Sequence, residues 1–176
     1  DETLFHFDAF QGMKLMFSRF GVDFSEQDYS VYQEVNLPLW VDYQDGRITA
    51  DQLKHTRFES WAEKLETTTA ELNSAFLTAM ADICSLLPGA KELMESLQGK
   101  VNMGIITNGF TELQSIRLER TGMTDYFEHV IISEEVGVAK PDAEIFEHAH
   151  KLAGLPAKQR ILMVGDCLLY TSDAAD

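Results

Sequence analysis

Cysteine is scarce in this chain of 176 residues: there are two, Cys84 and Cys167, far apart and without CxxC or Cys/His spacing. That argues against a structural zinc site and against a disulfide framework. Basic residues are also few, 14 Lys and Arg against 29 Asp and Glu, for a formal net charge of −15. A surface of that sign repels nucleic-acid phosphates, so no long nucleic acid is expected as a partner. It leaves room for a small phosphorylated ligand, because one metal ion and one lysine invert the field locally. The acidic residues are dispersed rather than gathered into a tail, the pattern of a solvated face. No apolar run approaches the roughly 18 residues of a membrane span, and no signal-peptide pattern is visible. No membrane partner is therefore expected, and a reducing cytoplasm is the expected location. Fixed-period repeats and low-complexity segments are absent too.

What is present divides into two regimes. With 45% hydrophobic residues, the chain is long enough for one sizeable core, or a core plus a small insertion. Residues 9–85 read almost wholly helical. Thr49-Ala-Asp-Gln52 and Thr68-Thr-Ala-Glu71 both fit a capping box at a helix start. Leu72, Ala75, Phe76, Ala79, Met80 and Ile83 then recur at helical spacing, and Leu15, Met16 and Phe20 form a similar stripe earlier. Gly46 marks a turn between helices. After "LPGA" at 87–90, short apolar runs alternate with amphipathic stretches: "VNMGIITN" (101–108), "HVIIS" (129–133) and "RILMVGD" (160–166). Helix-like segments lie near 90–98, 110–121 and 142–153. Strands alternating with helices at this spacing predict an α/β fold with a parallel sheet, interrupted by a helical insertion.

In open parallel sheets, ligands bind outside the carboxyl ends of the strands. The predicted strands end there in Thr107-Asn108-Gly109, in Ser133-Glu134-Glu135 and in Gly165-Asp166, and Lys140 follows the second strand in "GVAKPD". Each group has an ordinary reading as a turn, a helix cap or a solvated side chain, since such short motifs specify little alone.

Their order is far more specific. "DETLF" at the start, "IITNG", "VAKP" and "MVGD" resemble, in sequence, the motifs of the haloacid dehalogenase superfamily of phosphatases. "NLPLWVDYQDG", "RFESWAE", "IITNGFTELQSIRLERTG" and "SEEVGVAKP" are similar to the bacterial pyrimidine 5′-nucleotidases, which dephosphorylate nucleoside monophosphates such as dUMP, UMP and dTMP. The resemblance implies a Rossmann-like parallel sheet core from residues 1–8 and 86–166, with a helical cap at 9–85 inserted after the first motif. It implies Mg²⁺ as cofactor, held by Asp166 and the backbone carbonyl of Asp1. Thr107, with the N–H groups of Asn108 and Gly109, would hold phosphate oxygens, and Lys140 would neutralise the nucleophile and the transferring phosphoryl group. Asp1 would be the general acid and base, protonating the departing O5′ and then taking a proton from water. Dehalogenases of the superfamily usually lack this second aspartate, since halide needs no protonation. The chemistry matches these residue types, for phosphomonoester hydrolysis demands up to ~10²¹-fold acceleration and a carboxylate nucleophile divides it into two steps.

The same mapping places the nucleophile two residues before Asp1, so none is present in this chain. At the other end, Tyr170 and Thr171 stand where a second acidic residue is called for, Asp173 is displaced, and 167–176 reads as a non-native tail. The expectation is a chain truncated at both ends and without turnover as written. The α-amino group on Asp1 would also lower its carboxyl pKa, the wrong direction for a general acid. Phe5, Phe7, Trp40, Tyr43 and Trp61 are candidates to stack on a base, or are simply core, and His6 is a polar candidate beside the first motif. Two other readings stand beside the nucleotidase: a capped phosphatase of a sugar phosphate or similar metabolite, and a non-catalytic binding module that keeps the fold.

Overall fold

The computed structural model of the protein describes residues 2–165. The chain falls into two compact units, one holding residues up to Phe7 and from Cys84 onward, the other Asp8–Ile83.

The Asp8–Ile83 unit is helical: α1 (Ala9–Arg19), α2 (Glu26–Gln44), α3 (Ala50–Thr56), α4 (Glu59–Leu65) and α5 (Thr69–Asp82). Side-chain caps set the starts. Asp8 accepts from the Gln11 N–H, and Ser25 with Asp28 forms a reciprocal box at α2. The box expected at Thr49–Gln52 is complete. At α5 Thr68 accepts from the Glu71 N–H, while the Glu71 carboxylate is taken by the Thr67 hydroxyl at 2.6 Å, so only half of that expected box forms. Of the predicted stripes, Leu72, Phe76, Ala79 and Met80 of α5 and Met16 of α1 are buried, while Ala75, Ile83, Leu15 and Phe20 are half-buried. The inward face of α1 is completed by Met13 and Phe17, which the stripe did not include. Phe17 stacks on Phe24 at 4.6 Å and lies 4.3 Å from Trp61, which makes Trp61 a core residue rather than an open stacking platform.

The second unit carries α6 (Ala90–Leu97), β1 (Gly104–Thr107), α7 (Thr111–Arg120), β2 (His129–Ile132), α8 (Ser133–Val136) and α9 (Ala143–Leu152). β1 and β2 are parallel, in register Gly104↔His129 through Thr107↔Ile132, and α7 is the crossover between them. Parallel neighbours need such a crossover because a tight hairpin cannot reverse the chain twice. The first residues join this unit through the Phe5↔Leu86 bridge, with Leu87 N–H donating to Leu4 O at 2.9 Å. Phe5, Met94, Leu118 and Met123 form its core, with Leu86, Ile105 and Val130 packed against them.

The strand expected at 160–166 does not form among the described residues. Lys158–Arg160 is a 3₁₀ turn and 161–165 has no regular structure. The apolar run there is real, but a strand exists only where its N–H and C=O groups meet a neighbouring strand. Leu162 is 85% and Val164 64% exposed, so this segment is not packed as a sheet element. Among the described residues no helix is long and apolar enough to cross a membrane.

Candidate active site

Thr107 lies opposite Ile132 at the last rung of the ladder, so β1 and β2 end together. The chain therefore leaves the same sheet edge twice, once into residues 108–110 and once through α8 toward Lys140. Gly137, with φ of 89°, closes α8 in the left-handed region, which suits glycine because it has no Cβ to clash. Ala139 is buried, and the Lys140–Pro141 peptide bond is cis.

Asn108 ties the two exits together. Its Nδ2 donates to the Lys140 carbonyl at 2.9 Å, and its Oδ1 accepts from the Lys140 N–H at 2.7 Å. One carboxamide thus serves both backbone groups of Lys140, as a neighbouring strand would. Asn108→Leu is expected to destabilise the protein by about 2 kcal/mol, since each abandoned polar group costs roughly 1–3 kcal/mol when buried and less when water reaches it. Asn108→Asp, which keeps the acceptor for the Lys140 N–H but sets a carboxylate oxygen against the Lys140 carbonyl, should lose at least as much. Urea denaturation of the two variants beside the parent checks both values.

The turn itself is built on Thr107. Its Oγ1 accepts from the Gly109 N–H at 3.0 Å, leaving the hydroxyl proton to be donated elsewhere. The Gly109 N–H is committed to this turn. At the start of α7, Phe110 offers no side-chain cap, and Glu134 from α8 supplies one instead: its Oε2 accepts from the Thr111 N–H at 2.9 Å. Thr107, Asn108, Gly109 and Lys140 are all half-buried. The structure thus brings these four predicted residues into one polar edge. Asp1 and Asp166 lie outside the described residues.

Behind the turn is a pair that sequence reasoning missed. Gln114 and Arg117 of α7 are 1% and 3% exposed. Arg117 Nη2 donates to Gln114 Oε1 at 2.5 Å, and its guanidinium lies 4.5 Å from the centre of the Phe5 ring. Burial pushes the Arg117 guanidinium down to about 10, so it remains charged at neutral pH. Burial also raises the nearby Cys84 thiol, with Arg117 acting in the opposite direction. The spacing of three residues on a helix was the available signal, since it places Gln114 and Arg117 on one face.

The other candidates separate cleanly. Phe5 is core, Tyr43 is buried with its ring 5.9 Å from Trp40 in an edge contact, and Phe7 is exposed. His6 is about half exposed, with Nδ1 3.4 Å from Glu2 Oε1. Among the described residues no three His, Cys, Asp or Glu side chains gather to hold a metal.

The chain as a whole is similar to known proteins. The chain is 57% identical over 166 residues to the pyrimidine 5′-nucleotidase YjjG of Escherichia coli, covering 94% of this chain and 74% of that protein. It is 32% identical to the pyrimidine 5′-nucleotidase PynA of Streptococcus pneumoniae, covering 96% and 73% respectively. Among solved structures, the magnesium-bound hydrolase YfnB of Bacillus subtilis superposes with a TM-score of 0.74 at 25% identity, covering 86% of this chain and 70% of that one. A sequence model of haloacid dehalogenase-like hydrolases matches residues 1–169. Motif order, parallel sheet and these relatives agree, and the chain belongs to the haloacid dehalogenase-like hydrolases.

Proposed function

We propose that this chain serves a Mg²⁺-dependent phosphomonoester hydrolase whose substrates are pyrimidine nucleoside 5′-monophosphates. The observation that carries the reading is the Asn108 bridge, which holds Lys140 beside the Thr107 turn at a strand-end edge. Such an edge suits an anion: the Thr107 hydroxyl donates to a phosphate oxygen, and the Lys140 ammonium balances its charge. Asp1 protonates the departing O5′ of the nucleoside and afterwards takes a proton from the attacking water. The reaction runs through an aspartyl-phosphate on a carboxylate two residues ahead of Asp1, which divides a difficult hydrolysis into two displacements.

The residues assigned to the metal, Asp166 and the Asp1 carbonyl, offer only oxygen, the donor chemistry that Mg²⁺ prefers. When bound there, the ion supplies positive charge against the phosphate oxygens. The pyrimidine preference is drawn from the nucleotidases to which the chain is similar.

Substrate profiling tests this reading in a protein that carries this sequence behind an Asp-x pair. With Mg²⁺, kcat/KM for dUMP, UMP and dTMP should exceed that for sugar phosphates by about tenfold or more, a difference one well-filled pocket can supply. The reverse ranking would assign the site to a sugar phosphate. Absence of hydrolysis on every phosphomonoester would leave a binding module.

A further inference from the structure

Gly109 has no room for a side chain, and the reason points to a further residue. A Cβ at Gly109 would lie 2.1 Å from Gln114 Nε2, 3.2 Å from Gln114 Cδ and 3.2 Å from Thr107 Oγ1. The Gln114 carboxamide therefore fills the space directly beneath the turn. Its orientation is fixed chemically. Arg117 can only donate, so the Gln114 oxygen must face the guanidinium and the NH₂ group must face the turn. Arg117 is itself held by burial and by the Phe5 ring, so the amide has little freedom to rotate away. Yet Nε2 is buried and has no hydrogen-bond partner. A buried amide donor is rarely left unused.

We propose that Gln114, aimed by Arg117, is a positioning residue for phosphate binding, its NH₂ group setting the Thr107–Gly109 turn from below. The ligand class is inorganic phosphate or the phosphate of a monoester, and the inference rests on the reading of this turn as a phosphate site. Thr107 Oγ1 already accepts one hydrogen bond, from Gly109. When the anion draws the turn together, Nε2 donates into the remaining lone pair of Oγ1. With both acceptor positions filled, the hydroxyl can only donate, and its proton is directed at the phosphate oxygen. Gln114 thus acts through Thr107 and does not touch the substrate.

The test uses the 176-residue chain and inorganic phosphate, followed by ¹⁵N NMR of backbone amides and of the Gln114 side chain. The backbone amides of Asn108 and Gly109 should shift on titration. The Gln114 side-chain NH₂ should shift with the same saturation curve, one proton moving downfield as its hydrogen bond forms. In Gln114→Met, which removes the donor without adding charge, phosphate should bind on the order of tenfold more weakly, the effect of one well-placed hydrogen bond. Gln114→Glu, which keeps an acceptor for Arg117, should hold the melting temperature and still bind weakly. A stationary Gln114 NH₂ beside shifting Asn108 and Gly109 amides overturns the inference and leaves the phosphate site intact. Wild-type affinity in a folded Gln114→Met overturns it equally. Should Gln114→Met fail to fold, the wild-type titration and Gln114→Glu still decide. If no amide of the turn responds to phosphate, the site reading and the inference fall together.

Discussion

Lys140→Met is expected to lower kcat by about 10²–10³-fold, the scale measured when one preorganised group facing developing charge is removed. Methionine keeps most of the stem and deletes only the ammonium. The backbone beneath it should not move, because Asn108 holds the Lys140 N–H and carbonyl at 2.7 and 2.9 Å whatever side chain stands there. Stability should therefore be nearly unchanged while turnover collapses. Lys140→Arg should rescue only part of the loss, since a planar fork does not place its charge where a compact ammonium does. Steady-state kinetics on dUMP, in the same Asp-x-bearing protein as the substrate profile, reads both values. A Lys140→Met variant within about threefold of the parent rate would remove Lys140 from the chemistry, because a charge at the reacting centre cannot be worth so little.

The largest stability effect is expected in the helical unit, at Asn73→Leu. Arg57 is 4% exposed, with its guanidinium 5.0 Å from the Phe58 ring centre and 5.2 Å from that of Phe76. Burial pulls its pKa down, and the Tyr32 hydroxyl works against that shift. The Tyr32 hydroxyl is itself pushed up, first by burial, with Arg57 opposing. Asn73 Oδ1 accepts a hydrogen bond from Arg57 Nη2. Leucine at 73 would leave a buried charge short of an acceptor, at a cost of about 3 kcal/mol. Urea unfolding should show a lower midpoint with an unchanged m-value. The double variant Arg57→Met/Asn73→Leu should recover part of the loss, because no buried charge is then left short of an acceptor and the Tyr32 hydroxyl, which loses Arg57, still donates to Asn36. Additive losses in that cycle would mean that the two side chains are not coupled.

Much of this molecule is legible from its residues, and the exceptions have a common cause. The helix starts at Thr49 and Thr68 follow from local side-chain chemistry, and both appear. β1 and β2 lie inside the apolar runs that announced them, trimmed by a few residues. "RILMV" has the same character, yet forms no strand among the described residues. Apolar content is a property of the segment, whereas a strand is a property of a pair.

The site divides in the same way. Thr107, Asn108, Gly109 and Lys140 could be placed because strand ends collect ligands in parallel sheets. What Asn108 does there, joining two loops 32 positions apart, needed the fold. Gln114 and Arg117 look in sequence like the polar surface of an amphipathic helix. They are buried because the face of α7 that also carries Leu113 and Leu118 turns inward, with Arg117 over the Phe5 ring, which no periodicity reports. Glu134 is similar: an acidic residue after a strand reads as solvated, and it caps α7. Trp61 reverses the error, since an aromatic offered for base stacking is occupied by Phe17 and Phe24.

The Thr107 turn and Lys140 are expected to act as one anion site. The most direct measurement is a crystal structure after soaking with tungstate, a tetrahedral stand-in for phosphate. One tungstate is expected at this edge, with an oxygen accepting from Thr107 Oγ1 and another from Lys140 Nζ, at charge-assisted distances of roughly 2.7–2.9 Å. Tungstate bound elsewhere while this edge stays empty would contradict it.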